Sequence, residues 1–327
     1  MTQKNTFSKD IIKLNNVENT VMEIVEKLRN DIIHTLKRRG AIVGISGGID
    51  SSVTLALAVK ALGSDKVIGI MMPEYDSSPD SKMLALELAA RFKIKTIEEN
   101  LTSALSGFGC YTRRDEAVKS VISEFSPEKD KFKIEIKQNV SNMKLPPIFY
   151  VTVYFANGTV ESKMLPTKAY LQIVAASNFK QRSRMSMLYY HGEANHYAVI
   201  GTPNKHEVKQ GFFVKYGDGG ADVMPIGHLF KTQVYELARF LGVPDEIIRR
   251  TPTTDTYTAE QTQEDFFYQL PFETMDLIWY GWENGYSPEE IGEVMDYSAE
   301  EISNIFTSFE RKMRTTDYLR MSPIHYQ

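Results

Sequence analysis

Apolar residues recur at helical spacing across residues 17–39, where Val21, Ile24, Val25, Leu28, Ile32 and Leu36 fall on one face. The spacing predicts an amphipathic helix, ended by Lys37-Arg38-Arg39-Gly40 with cations near its negative dipole end and a glycine stop. At residue 41 the pattern changes to an unbroken run, Ala41-Ile42-Val43-Gly44-Ile45, the mark of a parallel strand buried on both faces. A helical pattern over 53–59 then leads to a second apolar run at 66–72. A loop over 73–80, a helix over 81–92 and a strand over 95–97 complete a β-α-β-α-β order. That order predicts an α/β fold, a doubly wound parallel sheet with helices on both faces. Ligands of such sheets sit beyond the carboxyl ends of the strands, where residues 46–51 and 73–80 lie.

Residues 103–168 break the rhythm. Residues 107–115 read as a loop and 116–125 as a helix. Residues 132–136 alternate like a strand, and runs at 149–155 and 159–164 flank Ala156-Asn157-Gly158, a hairpin signal. The stretch from about 105 to 165 therefore reads as an inserted β-rich arm, with lid, arm and dimer contact all open as roles. The α/β pattern returns with a helix over 167–190, a strand over 197–202, a glycine-rich loop over 211–221 and a helix over 232–241 that stops at Gly242. Polar residues 251–271 read as a mobile loop, and 273–314 as helical. The expected organisation is an N-terminal helix and candidate dimer contact (1–40), a core carrying the insertion (41–255) and a C-terminal helical cap (256–327). In that cap, Ser287 with Glu290 and Ser298 with Glu301 form two capping-box patterns at helix-turn-helix spacing. The second helix opens with Ala299-Glu300-Glu301, which repels phosphates, so a structural role is the better reading.

Composition narrows the classes. A chain of 327 residues, 42% apolar, can bury a sizeable core in one large or two small domains. A net charge of −4 argues against a dedicated nucleic-acid partner. One cysteine, Cys110, excludes an intrachain disulfide framework and suits a reducing compartment. With no apolar signal core at the N-terminus and no 18-residue apolar run, a cytoplasmic protein without a membrane partner is expected.

The chemistry starts at Ser46-Gly47-Gly48-Ile49-Asp50-Ser51. A strand, a small-residue turn and a helix start present unpaired N–H groups and a positive dipole end, which make an anion site for a phosphate or pyrophosphate. The spacing is neither a Walker A loop nor Gly-x-Gly-x-x-Gly. It resembles the PP-loop, Ser-Gly-Gly-x-Asp-Ser, of N-type ATP pyrophosphatases. Further on, Asn178-Phe179-Lys180-Gln181-Arg182-Ser183-Arg184-Met185, Gly201-Thr202, Glu207, Gly211-Phe212-Phe213-Val214-Lys215-Tyr216-Gly217-Asp218-Gly219-Gly220 and Lys231-Thr232 together resemble NAD synthetases of the ammonia-dependent type.

That resemblance implies an adenine nucleotide alpha hydrolase-like core and a two-step reaction. The nicotinate carboxylate of deamido-NAD attacks the α-phosphorus of ATP and releases pyrophosphate; ammonia then displaces AMP. Ammonia arrives free or from a separate glutaminase, and related enzymes are homodimers. By the same resemblance Ile45, Ser46, Gly47, Gly48, Ser51 and Ser52 form the nucleotide cradle, and Asp50 and Glu207 hold Mg²⁺, a hard ion that takes carboxylate oxygen. Lys215 and Lys231 meet phosphates and the transition state, with Asp50 the third catalytic group. Arg184, Thr202, Asp218 and Asp222 line the ATP and deamido-NAD sites, and Lys312 takes a covering role near the C-terminus. Arg182 and Arg184, two apart on a helix, are expected to face opposite ways. Glu207 alone could be a solvated loop carboxylate and Asp218 a turn residue. His206 and His228 lack metal-ligand spacing. Arg311 stands where the family has His, and the insertion has no counterpart in compact bacterial relatives, so an amidating ligase for another carboxylate, or a nucleotide-binding regulator, are the alternatives.

Overall fold

Fourteen residues of mixed polarity form helix α1 (Val17–Asn30), started by the Asn16 side chain accepting the Asn19 N–H at 2.9 Å. The structure, a computed structural model, describes residues 5–253 and 257–326. The helix does not run to Arg39 as its apolar spacing suggests. One π-turn (Asp31–Thr35) follows, Leu36 N–H bonding Asp31 O at 2.8 Å, and Lys37 turns the chain in the left-handed region at φ 55°. The wider turn keeps Ile32 fully buried while the backbone swings toward the first strand. Gly40 serves close approach rather than helix termination, since a Cβ there would lie 2.5 Å from Lys66 O.

Strands β1 (Ala41–Gly44), β2 (Val67–Met71) and β3 (Lys95–Glu98) alternate with α2 (Ile49–Leu62) and α3 (Pro79–Phe92). The chain then runs through α4 (Thr102–Gly107), α5 (Cys110–Lys119), strands β4 (Lys131–Ile136), β5 (Phe149–Tyr154) and β6 (Val160–Met164), helix α6 (Thr167–Asn195) and β7 (Ala198–Ile200). The parallel sheet has the order β3-β2-β1-β7, with Ala41 paired to both Val67 and Ala198. Alternation along the strands fills two layers. Ala41, Val43, Ala198 and Ile200 pack with α1, α2 and a later helix, α8 (Lys231–Leu241), whereas Ile42, Ile68, Ile70 and Val199 pack under Met185 and Leu188 of α6. Because β2 and β7 flank β1 on opposite sides, the strand order reverses between β1 and β7, and a crevice opens beyond their carboxyl ends.

The insertion is a three-stranded antiparallel sheet, β4-β5-β6, turned at Gly158 with φ 86°. Its inner face (Phe132, Ile134, Val151, Val153) packs on Val118 and Ile122 at and after α5 and on Ile173 of α6. Gly109, at φ 68°, starts α5 at Cys110, six residues before the pattern suggests, and places Tyr111 and Arg114 against β2's loop.

Beyond β7 come α7 (Lys205–Gln210), α8 (Lys231–Leu241), α9 (Asp245–Arg249), α10 (Phe272–Glu283), α11 (Pro288–Met295), α12 (Ala299–Thr315) and α13 (Asp317–Arg320). Residues 254–256, within the polar stretch expected to be mobile and at the expected boundary of the cap, lie outside the described residues. The rest of that stretch packs: Tyr257, Gln261, Tyr268 and Leu270 are buried, and Thr253 bridges Thr262. Both capping boxes form at α11 and α12. The apolar face of α12 (Ile302, Ile305, Phe309) closes on Trp279 of α10. Arg311 does not approach the sheet's crevice; its Nη1 donates to Met143 O at 2.9 Å and to Leu145 O, holding the inserted arm to α12.

Candidate active site

At the end of β1 the backbone turns at Gly47, where φ is 71° and a Cβ would stand 2.8 Å from Ser81 O and 2.9 Å from Leu84 Cβ. A Gly47→Ala chain is therefore expected to lose about 1–3 kcal/mol of stability, measured by urea unfolding, and to bind ATP more weakly. Gly48 caps α2 with no side chain on the first N–H groups, so the positive helix end stays open. The Ser51 and Ser52 hydroxyls donate to Gly48 O at 3.0 and 2.8 Å and fix the turn from below. Ser46 Oγ accepts the Gly48 N–H at 3.3 Å and lies 3.2 Å from Ser51 Oγ.

Three charged groups converge on this turn from separate elements. Asp50 belongs to the first turn of α2. Glu207 sits in α7, oriented by a reciprocal cap in which its Oε2 accepts the Asn204 N–H at 2.8 Å while Asn204 Oδ1 accepts the Glu207 N–H at 3.2 Å. Lys231 opens α8 with 0% exposure and bonds Asp50 Oδ2. Asn204 Nδ2 also donates to Asp50 Oδ1 at 3.4 Å. Burial pushes the Glu207 carboxyl up to about 8, Asp50's charge adds to the rise, and Lys231 opposes it. Glu207 keeps part of its surface on the cavity, but the protein packed around its carboxylate penalises charge. Burial alone would lower Lys231; Asp50 and Glu207 outweigh it and hold the ammonium above its ordinary range. Asp218, whose Oδ1 accepts the Val214 N–H at 2.9 Å, is pushed by burial to about 6.

These groups share a cavity of about 750 Å³. It brings together Ile45, Ser46, Gly47, Gly48, Asp50, Ser51, Arg184, Thr202, Glu207, Lys215, Asp218 and Lys231. It does not bring in three residues of the sequence reading. Ser52 is buried under the turn. Asp222 accepts the Val199 N–H at 2.8 Å and the Tyr189 hydroxyl at 2.9 Å, so it ties β7 to α6. Lys312 donates to Phe267 O at 2.8 Å, over the Phe267 ring, where burial lowers its ammonium to about 7. Lys215 lies on the cavity wall, with its Nζ donated to Tyr318 O and Met321 O at 2.9 and 2.7 Å. Arg182 and Arg184 both line the cavity, against the opposite-sides expectation, because the cavity wraps around α6 and Arg182 Nε reaches Lys215 O at 3.1 Å.

Sequence reasoning missed a buried charge cluster beside this cavity. Lys180 bonds Glu74 Oε1 at 3.1 Å and Asp76 Oδ2; Arg114 also bonds Asp76, and the Tyr111 hydroxyl donates to Glu74 at 2.7 Å. Lys180 stood inside the Asn-Phe-Lys-Gln-Arg run, the one signal that could have flagged it. His206, which lacks metal-ligand spacing, is fully buried, 2.7 Å from Asp276 Oδ1.

Among the described residues no cluster of three or more His, Cys, Asp or Glu could hold a metal by itself. Asp50 and Glu207 are a two-carboxylate donor set that faces one cavity beside the open end of α2. That set fits Mg²⁺, which takes one or two carboxylates and completes its shell with water and phosphate oxygens.

Comparison with known proteins gives a consistent picture. The family described as NAD synthase matches residues 20–126 and 116–318. An NH(3)-dependent NAD(+) synthetase of Mesorhizobium japonicum is 45% identical over 304 residues, 93% of this chain and 95% of that protein. The solved NMN synthetase from Francisella tularensis superposes with a TM-score of 0.66 at 22% identity, over 95% of this chain and 98% of its own. An NH3-dependent NAD synthetase from Campylobacter jejuni, solved with nitrate, gives 0.61 at 19% identity, over 96% and 100%. At these identities the two structures share the fold.

Proposed function

This chain belongs to the NAD synthase family, and on that premise we infer that it catalyses the ATP-dependent amidation of deamido-NAD to NAD with ammonia. The observation that carries the reading within the structure is the meeting of the open helix end at Gly48 with Asp50, Glu207 and Lys231 in one cavity. Adenylation needs that combination. As a nicotinate oxygen bonds the α-phosphorus and the bond to the β-phosphate oxygen breaks, negative charge grows on the departing pyrophosphate. The N–H groups heading α2 and the Ser46 hydroxyl receive those oxygens, the Ser51 hydroxyl joins them by turning from Gly48 O, and Lys231 offsets the charge. Ammonia then bonds the acyl carbon, AMP leaves, and the nitrogen gives up a proton.

Asp50 and Glu207 would hold Mg²⁺, which supplies neutralisation of phosphate charge when bound. Thr202, Arg184 and Asp218 sit where they can line the two nucleotide substrates. Lys215 reaches phosphate only by leaving the carbonyls of Tyr318 and Met321. We place the enzyme in the cytoplasm as a homodimer that takes ammonia free or from a separate glutaminase. Light scattering checks the dimer. Among the described residues no helix is long and apolar enough to cross a membrane.

The deciding assay supplies ATP, Mg²⁺, ammonium and deamido-NAD and follows NAD, AMP and pyrophosphate. Equal yields of the three are expected. AMP release that requires a different acid, or nucleotide binding without turnover, would overturn the reading. Asp50→Asn is expected to abolish turnover, and near-normal activity in that variant would remove Asp50 from the metal site.

A further inference from the structure

Lys231 and Glu207 reach the cavity from helices α8 and α7, whose starts are joined by Lys205 N–H donating to Leu229 O at 3.0 Å. A third helix bridges them a second time. Asp276, in α10, is fully buried and uses both carboxylate oxygens. Oδ1 lies 2.7 Å from His206 Nε2, on the residue preceding Glu207. Oδ2 accepts the Thr232 N–H at 2.8 Å and the Thr232 hydroxyl at 2.7 Å, on the residue following Lys231.

Each contact has a local reason. Thr232 N–H is one of the unpaired donors of α8's first turn, and Phe230 at the cap position has no oxygen on its side chain to accept it. Asp276 therefore caps α8 from another helix, placing a negative charge at the same positive end that carries Lys231. His206 is enclosed by Phe230 and Trp279, with ring centroids 5.5 and 5.3 Å away, and Gln210 Nε2 meets its Nδ1 at 3.1 Å. With Gln210 donating to Nδ1, the proton on Nε2 points at Asp276, so the ring has one orientation. A buried carboxylate with three partners in a water-poor site is a stiff junction, because losing any one of them leaves buried polar atoms unpaired.

We propose that Asp276 is a positioning residue for the amidation reaction: through His206 and Thr232 it sets the distance between Glu207 and Lys231, and so the spacing of carboxylate and cation around the pyrophosphate. The inference rests on the site reading above. It makes α10 part of the catalytic support without contact to substrate.

The test compares Asp276→Asn, Thr232→Val and Thr232→Ser with the parent chain. Melting temperature, equilibrium ATP binding without added metal, and kcat and KM for deamido-NAD are measured on each. Asparagine keeps the volume but cannot accept from both partners as a carboxylate does. Asp276→Asn is expected to stay folded at 25 °C, with KM within about threefold and kcat lowered at least about thirtyfold. Thr232→Val is expected to lower kcat about tenfold, and Thr232→Ser, which keeps both donors, to restore it. A purely structural role would lower activity only in step with the folded fraction and would not separate serine from valine. Parent-like kcat in folded Asp276→Asn overturns the proposal. If Asp276→Asn does not fold, equal kcat values for the valine and serine variants overturn it. A parent chain that makes no NAD would sink the amidation reading itself, an outcome distinct from these.

Discussion

Lys231→Met is expected to lower NAD formation by about a hundred- to a thousandfold, the range seen when one preorganised group facing developing charge is removed. Methionine keeps most of the length and fills the space over the Phe272 ring, which Lys231 Nζ approaches at 5.2 Å from the centroid. What it removes is the cation between Asp50 and Glu207. Breaking a buried ion pair commonly costs about 3–5 kcal/mol, because the surviving charges stay in low dielectric. Here the loss is softened below about pH 8, where burial already keeps Glu207 protonated and it leaves no second charge unpaired. The stability deficit of the variant should therefore be smaller at pH 6 than at pH 8.5. Melting curves at the two pH values and a kcat at saturating substrate check both halves. Turnover within tenfold of the parent would remove Lys231 from the reacting centre.

Glu207→Gln separates charge from shape. The folded chain holds the Glu207 proton up to about pH 8, whereas an unfolded glutamate releases it near ~4.3. Across that window the folded state binds the extra proton, so Glu207 makes the parent less stable as pH rises. Glutamine carries no such titration. The variant should gain stability relative to the parent from pH 5 to pH 8, measured by urea unfolding without divalent cations. It should also lose turnover by about a hundredfold or more, because an amide is a poor partner for a hard dication. A stability difference that does not grow with pH would show that Glu207 ionises in the ordinary range.

Much of this architecture lies open in the sequence. The buried strands read as continuous apolar runs, and the Ser46–Ser51 turn is contiguous, so the sheet and its phosphate cradle are legible before any coordinates. Chain ends of elements are less so. Nothing in the apolar spacing of residues 17–39 distinguishes an α-helix from one that finishes in a π-turn, and Gly109's left-handed backbone starts α5 earlier than the pattern suggests. The larger gaps concern charge. Lys180 pairs with Glu74 and Asp76, more than a hundred residues away, and Asp276 pairs with His206 across seventy. No period links such partners. A lysine aimed at phosphate and one resting on backbone carbonyls also look alike in sequence, which is why the resting places of Lys215 and Lys312 come from the structure alone.

The pairing of Ala41 with Ala198 has a consequence for how the molecule comes into being. The Ser46–Ser51 turn leaves the ribosome before Glu207, Lys231 and Asp276, which follow only after the whole inserted sheet. The β1–β7 contact closes a long loop, and such closures are slow because chain entropy is lost before contacts compensate. The nascent chain therefore carries a phosphate cradle before the cation and carboxylates that complete the site have been made. The site is complete only when β7 docks beside β1 and α10 settles behind it.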